Sequence, residues 1–292
     1  LTGRLLSTEK SRMTYREALK TATVQLKNAR VPDADFDARE LLFHVTGMTR
    51  EEWLLRSGEH ITEAESTRYA ELLGRRAGRE PLQQIIGVQY FMGFPFRVTR
   101  DTLCPRQDTE ILAETAIPLC NNARVLDMCT GTGCLAVSIA KLAGGAAVTA
   151  ADLSEPALLV AAQNATANGA DVTFVVSDMF SNIKDTYDVI VSNPPYIPAD
   201  QMETLMPEVK DFEPRMALYG GEDGLDFYRI LTAEGAKHLR KAGPDEKGGY
   251  LIVEIGFDQG KSVPELFRAA GFSDITVKKD YAGHDRVVMG HL

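Results

Sequence analysis

Four consecutive residues, Asn193-Pro194-Pro195-Tyr196, carry more potential chemistry than any other segment of this 292-residue chain. They follow an apolar run, Asp188 to Ser192, that reads as a strand. Two prolines stop a strand from continuing and fix the backbone beyond it. The residue before a proline is pushed toward extended geometry, which limits where Asn193 can point. Asparagine brings a carbonyl acceptor, and Pro194 has a backbone carbonyl but no N–H. Two such oxygens suit the two hydrogens of a planar –NH2 group, turning its nitrogen toward an electrophile. Tyr196 adds a flat surface for a planar substrate. A Pro-Pro pair by itself commonly marks a loop and nothing more. Its place at the end of a strand, beside the loop described next, favours the chemical reading: Asn193, Pro194 and Tyr196 catalytic, with Pro195 also touching substrate.

The partner loop is Val125-Leu126-Asp127-Met128-Cys129-Thr130-Gly131-Thr132-Gly133, which ends a strand and opens a helix. Glycines at such a turn let the backbone approach a ligand with no Cβ in the way. The spacing departs from Gly-x-Gly-x-x-Gly, because Ala136 stands three residues past Gly133. Asp152 ends the next strand, where a carboxylate can accept both hydroxyl hydrogens of a ribose. Asp178, after the third strand, can accept from an adenine amino group, with Met179 or Phe180 covering the ring. A glycine turn alone is often just a tight corner. Two further carboxylates at strand ends point to S-adenosylmethionine, held by Asp127, Cys129, Thr130, Gly131, Thr132, Gly133, Asp152, Leu153, Asp178, Met179 and Asn193. Its sulfonium methyl is the electrophile that the amide-holding oxygens require. Orientation and charge complementarity would then supply the catalysis without a general base.

These loops need a scaffold of alternating strands and helices. Strands are expected at Arg124–Met128, Ala147–Asp152, Thr173–Ser177, Tyr187–Ser192, Tyr250–Ile255, Ile275–Lys279 and Arg286–Met289. Helices are expected at Cys134–Leu142, Glu155–Asn168, Leu225–Lys241 and Gly260–Ala270. Near-continuous apolar strands in β-α alternation mean a parallel sheet covered on both faces. Upstream, Tyr15, Ala18, Leu19, Ala22, Val24 and Leu26 recur at helical spacing, as do Phe36, Ala38, Leu41, Leu42 and Val45. Thr62-Glu63-Ala64-Glu65 resembles a capping box ahead of a helix over Ser66–Arg76. The expected organisation is a helical bundle over 1–80, a β-hairpin linker over 81–104 built on the aromatics around Gly93, and a catalytic domain over 105–292. Residues 1–12 read as a leader before a start at Met13.

The composition is that of an ordinary globular protein, 44% hydrophobic and 25% charged. The four cysteines, Cys104, Cys120, Cys129 and Cys134, form no Cys-x-x-Cys pair, so no metal site is expected, and reduced thiols fit a cytoplasmic protein. The net charge is −9. Residues 1–85 are nearly neutral, with 14 basic against 13 acidic, while residues 86–292 hold 18 against 28. A protein gripping phosphates shows the opposite sign near its site. That disfavours nucleic-acid binding, and no apolar run reaches the roughly 20 residues of a membrane span.

Several segments together resemble the peptide-chain release factor glutamine methyltransferases, the HemK/PrmC family, over nearly the whole chain. They are Gly78 to Gly87, Pro105-Arg106-Gln107-Asp108-Thr109-Glu110, Asn193 to Tyr196, Glu213-Pro214-Arg215, Gly220 to Leu225, and Glu254 to Gln259. The resemblance implies a class I S-adenosylmethionine-dependent methyltransferase, Rossmann-like, with a mostly parallel seven-stranded sheet. It implies methyl transfer to the side-chain amide nitrogen of the glutamine in a release factor's Gly-Gly-Gln motif, leaving S-adenosylhomocysteine. It also adds Arg106 and Glu110 as substrate-binding residues and the helical domain as a release-factor contact. A monomer with no metal and no nucleic-acid or membrane partner is expected. Gln107, Cys129 and Met179 depart from the family pattern, which has proline, glycine and often a larger aromatic there. The alternative is an adenine or cytosine amino-methyltransferase, which would present a flipped base to the same oxygens.

Overall fold

The computed structural model describes residues 13–243 and 247–292, so the expected leader lies outside the described residues. The chain divides after Ile86 into two compact units. The first holds α1 (Tyr15–Asn28), α2 (Ala34–Thr46), α3 (Arg50–Arg56), α4 (Glu63–Ala77) and α5 (Leu82–Ile86). Three of these helices open on a capping box: Thr14 with Glu17, Thr49 with Glu52, and Thr62 with Glu65. In each, the threonine hydroxyl accepts an N–H of the first turn while the glutamate accepts the threonine's own N–H. Because a capping glutamate belongs to the first turn, α4 begins at Glu63 rather than Ser66. Leu26, Ala38, Leu41, Leu42 and Leu72 are fully buried between the helices. Val24 and Phe36, expected on the apolar faces, are 52% and 45% exposed. Val24 lies two residues from both Ala22 and Leu26, half a turn off the stripe they define.

The second unit opens with a hairpin, β1 (Val88–Phe91) and β2 (Phe94–Arg97). Its turn, Met92-Gly93, is left-handed at both residues (φ 50° and 81°), the form that matches strand twist. The expected linker region therefore contains a short helix, α5, as well as the hairpin. Then follow α6 (Thr109–Ala116), β3 (Arg124–Met128), α7 (Cys134–Leu142), β4 (Ala147–Asp152), α8 (Glu155–Ala167), β5 (Val172–Val176) and β6 (Val189–Ser192). A long excursion carries α9 (Pro207–Lys210), α10 (Asp226–Ala233) and α11 (Gly235–His238). The unit closes with β7 (Tyr250–Glu254), α12 (Ser262–Ala269), β8 (Ser273–Lys279) and β9 (Asp285–His291).

The seven strands β3 to β9 form one sheet in the order β5-β4-β3-β6-β7-β9-β8. The first five are mutually parallel, and β9 runs antiparallel to both neighbours. This is the mostly parallel seven-stranded sheet that the resemblance implies, with the antiparallel β9 departing from the parallel sheet expected from the alternation alone. β6 is fully buried, as the parallel centre of such a sheet requires. One expected helix, Leu225–Lys241, is instead two, interrupted by a turn at Glu234, and the second stops at Leu239, where the chain becomes extended and bridges Tyr187. Strands β3 and β6 are spatial neighbours though β4 and β5 lie between them in sequence. Their carboxyl ends form the topological switch point where open α/β sheets bind ligands.

Candidate active site

A cavity of about 420 Å³ opens at these strand ends, lined by both loops singled out from sequence. Its first wall is the turn after β3. Cys129, Gly131 and Gly133 all have left-handed backbone (φ 62°, 55° and 78°), which folds the chain back toward the start of α7. A Cβ at Gly131 would meet nothing within 4 Å, so the backbone there borders open space. At Gly133 a Cβ would sit 3.0 Å from the Ala161 Cβ, so this glycine serves close packing of the turn on α8 and does not line the cavity.

Asp127 holds the turn from behind. It is fully buried, and its Oδ2 accepts from the Thr130 hydroxyl (2.6 Å) and the Ala136 N–H (3.1 Å). Its Oδ1 is buried with no hydrogen-bond partner among the described residues. Burial pushes the carboxyl up to about 7, against the pull of those two donors, and nearby Asp152 adds to the rise. Asp152 itself accepts the Gly131 N–H on one oxygen and the Ser154 N–H on the other, both at 2.9 Å. Each oxygen keeps a further lone pair, so the group fits the two hydroxyls of a ribose. Leu153, Asp178 and Met179 extend this wall, with Asp178 exposed and Met179 left-handed (φ 46°). Phe180 is turned inward, stacked on His238 at 5.0 Å, so Met179 alone of the two faces the cavity.

The second wall begins at Asn193. Its Nδ2 donates to Thr109 Oγ1 at 3.2 Å, and among the described residues nothing donates to its Oδ1 or to the Pro194 carbonyl. Ser192 ties the root of this loop to β3 by donating to the Met128 carbonyl (2.7 Å). Beyond Asn193 the backbone is clamped by a distant segment. A Cβ on Gly220 would lie 2.7 Å from the Tyr196 Cα, and one on Gly224 2.4 Å from the Tyr196 carbonyl oxygen. Gln259 Nε2 donates to both the Tyr196 and Gly224 carbonyls at 3.1 Å.

Of the expected substrate residues, Asn193, Pro195 and Arg106 line the cavity, whereas Pro194, Tyr196 and Glu110 do not. Tyr196 packs into the core and aims its hydroxyl at Glu254 Oε1, 3.5 Å away. Glu110 accepts the Met92 N–H at 2.6 Å, fastening the hairpin turn to α6. Arg106 pairs at 2.6 Å with Glu213, a buried carboxylate that this guanidinium pulls back toward ionisation against the rise from burial. Thr109 and Glu254 lie in segments quoted for the resemblance but were given no role from the sequence, and the far wall built by Met216, Tyr219, Phe227 and Ile230 was missed. Glu254 ends the apolar strand β7, 2% exposed, with its carboxyl pushed to about 7 by burial. A charged residue closing an apolar strand was the available signal for it. The far wall has no local signature, since it forms only when the excursion after β6 returns.

The chain matches the model of the PrmC N-terminal domain over residues 17–87 and that of the methyltransferase small domain over residues 107–208. It is 42% identical to the release factor glutamine methyltransferase of Cereibacter sphaeroides over 94% of this chain and 98% of that one. With the release factor glutamine methyltransferase of Geobacter sulfurreducens it shares 39% identity, over 96% and 97% of the two chains. A methyltransferase structure from Pyrococcus furiosus shares the fold, at 20% identity and a TM-score of 0.52, covering 77% of this chain and 98% of that one.

Proposed function

The chain belongs to the release factor glutamine methyltransferase family, and from that membership we propose that its work is done by the two free oxygens after β6. The enzyme transfers a methyl group from S-adenosylmethionine to the side-chain amide nitrogen, N5, of a glutamine in a translation release factor. The specific substrate is the glutamine of the Gly-Gly-Gln motif. When bound, the cofactor supplies a methyl group already activated by a positive sulfur. Asp152 takes its ribose, Asp178 and Met179 its adenine, and the backbone of Thr130 to Thr132 its amino-acid end, with Asp127 and Gly133 shaping that backbone.

An amide nitrogen is a poor nucleophile because its lone pair is delocalised into the carbonyl. Asn193 Oδ1 and the Pro194 carbonyl hold its two hydrogens and aim the nitrogen at the methyl carbon. As positive charge develops on nitrogen these acceptors strengthen, so they stabilise the transition state more than the ground state. Methyl transfer would break the donor's S–CH3 bond and leave a neutral thioether, and the nitrogen would pass one of its two protons to solvent, so the product amide is neutral. Arg106 and the 216–230 wall border the space left for the peptide, while Pro195 limits the approach. The observation that carries this reading is the unoccupied Asn193 Oδ1 sharing one cavity with the Asp152 wall, with the Pro194 carbonyl, next in the chain, also accepting no hydrogen bond among the described residues.

The enzyme acts on protein in the cytoplasm. The acidic balance of residues 86–292 supports a protein substrate over nucleic acid. No helix among the described residues is long and apolar enough to cross a membrane. Incubation with labelled S-adenosylmethionine and purified release factor should label the factor, and a Gln→Glu change in its Gly-Gly-Gln motif should abolish labelling. Label entering only DNA or RNA would overturn the reading in favour of a base amino-methyltransferase.

A further inference from the structure

The amide-holding oxygens and the far apolar wall of the cavity belong to different segments, so the distance between them has to be set. The inference below rests on the role given above to Asn193 and Pro194. Half of that wall, Met216 and Tyr219, is tied by backbone to the chain just past the catalytic loop. There the Ile197 N–H donates to the Leu218 carbonyl and the Gly220 N–H to the Ile197 carbonyl, both at 2.9 Å. The other half, Phe227 and Ile230 on α10, follows Gly224, and its tie to the loop is a side chain. Gln259, 6% exposed between β7 and α12, donates through Nε2 to the Tyr196 and Gly224 carbonyls, both at 3.1 Å. Among the described residues nothing else donates to either carbonyl.

The direction of this amide is fixed by its partners. Its Oε1 accepts the Gly256 N–H at 2.8 Å, and an N–H can only donate. The two carbonyls can only accept, so a flipped amide would lose all three hydrogen bonds. The joint is also close-packed. A Cβ on Gly224 would lie 2.4 Å from the Tyr196 carbonyl oxygen and 2.9 Å from Gln259 Nε2. Tyr196 directly follows the two prolines, and their fixed backbone carries any displacement of it back to the reactive oxygens. We propose that Gln259 is a positioning residue that sets the width of the substrate slot, by pinning the catalytic loop and the approach to α10 to one amide. Gln259 does not line the cavity, so it acts through the two segments it holds.

The test uses the full chain, intact release factor and saturating S-adenosylmethionine. Gln259→Glu keeps the shape and still accepts from Gly256, but it leaves both carbonyls facing a carboxylate oxygen instead of a donor. It should lower kcat about 10- to 100-fold, the order expected for displacing a reacting group by about 1 Å. KM for the release factor should rise about 3- to 10-fold, while calorimetry should find cofactor affinity within about threefold of the parent. A residue that only held the fold together would lower the melting temperature and leave kcat of the folded enzyme unchanged, and that result overturns the inference. Gly224→Ala wedges the same joint from its other side and should give the same pattern. The two changes together should cost little more than the larger one alone, because each opens a single joint. Losses that multiply in the double variant would overturn the inference. Where Gln259→Glu fails to fold, an unchanged kcat in Gly224→Ala overturns it. A fully active Asn193→Ala would instead sink the underlying assignment of Asn193, and the positioning role with it.

Discussion

The turns after β3 and after β6 leave neighbouring strands at the same edge of the sheet, yet they are held in opposite ways. The first is made of left-handed residues and small side chains, and its supports are close in sequence. Asp127 bonds Thr130 and Ala136, three and nine residues on. The second is stiffened by prolines and supported from afar: Thr109 lies 84 residues before Asn193, and Glu254 lies 58 after Tyr196. A turn that must wrap a large cofactor is best built from bare backbone. A turn that must fix one nitrogen needs its reactive oxygens locked from behind. The difference therefore reflects what each turn has to do, and it separates binding from chemistry.

If that separation is real, variants on the two sides should move different constants. Asn193→Ala should cost about 10²- to 10³-fold in kcat, as for loss of a donor or acceptor at a developing charge. Calorimetry should show its cofactor affinity almost unchanged. Asp152→Ala should do the reverse, weakening cofactor binding by about 10- to 100-fold through two lost charge-assisted hydrogen bonds. Its kcat at saturating cofactor should remain within a few-fold of the parent.

Gly220→Ala forces a methyl group against the Tyr196 backbone and should lower kcat about tenfold by displacing the loop, again sparing cofactor affinity. The smallest effect is a pH dependence belonging to the first turn. Asp127 has a raised pKa near 7, so the stability it contributes is present below its ordinary value and is lost as pH rises through 7. A cationic cofactor nearby lowers that pKa and releases a proton on binding. Cofactor affinity should therefore rise by less than about tenfold from pH 6 to 7 and level off above 7, and Asp127→Asn should flatten the slope. A slope that persists in Asp127→Asn would place the linked proton elsewhere.

The same contrast governs what the sequence revealed. The turn after β3 was readable because its glycines, its carboxylate and the helix it opens lie within ten residues. The prolines marked the turn after β6, and Asn193 followed from them. What held this loop was not readable, since Thr109 on α6 and Glu254 on β7 reach it only once β6 pairs with β7, with Ser192 opposite Val253, and α6 packs on both strands. Glu110 was assigned to substrate by resemblance, and the structure places its carboxylate on a hairpin turn that only folding brings near. Val24 looked apolar enough for the core, but its angular position decides its exposure. The alternation of strands and helices, by contrast, carried the sheet correctly except where Leu239 exchanges helix for a bridge.

Strand β9 gives the sheet a schedule. It is made after β8, but in space it lies between β7 and β8, and β8 pairs with β9 alone among the described strands. During synthesis the chain emerges from its N-terminal end, so β8 must wait unpaired until the following segment is complete. Arg286, on β9, is also the cation that reaches the Ile255 carbonyl and Asp280 beside Glu254's end of β7. The cofactor wall can thus assemble early on the growing chain, while the side that handles the amide is finished last.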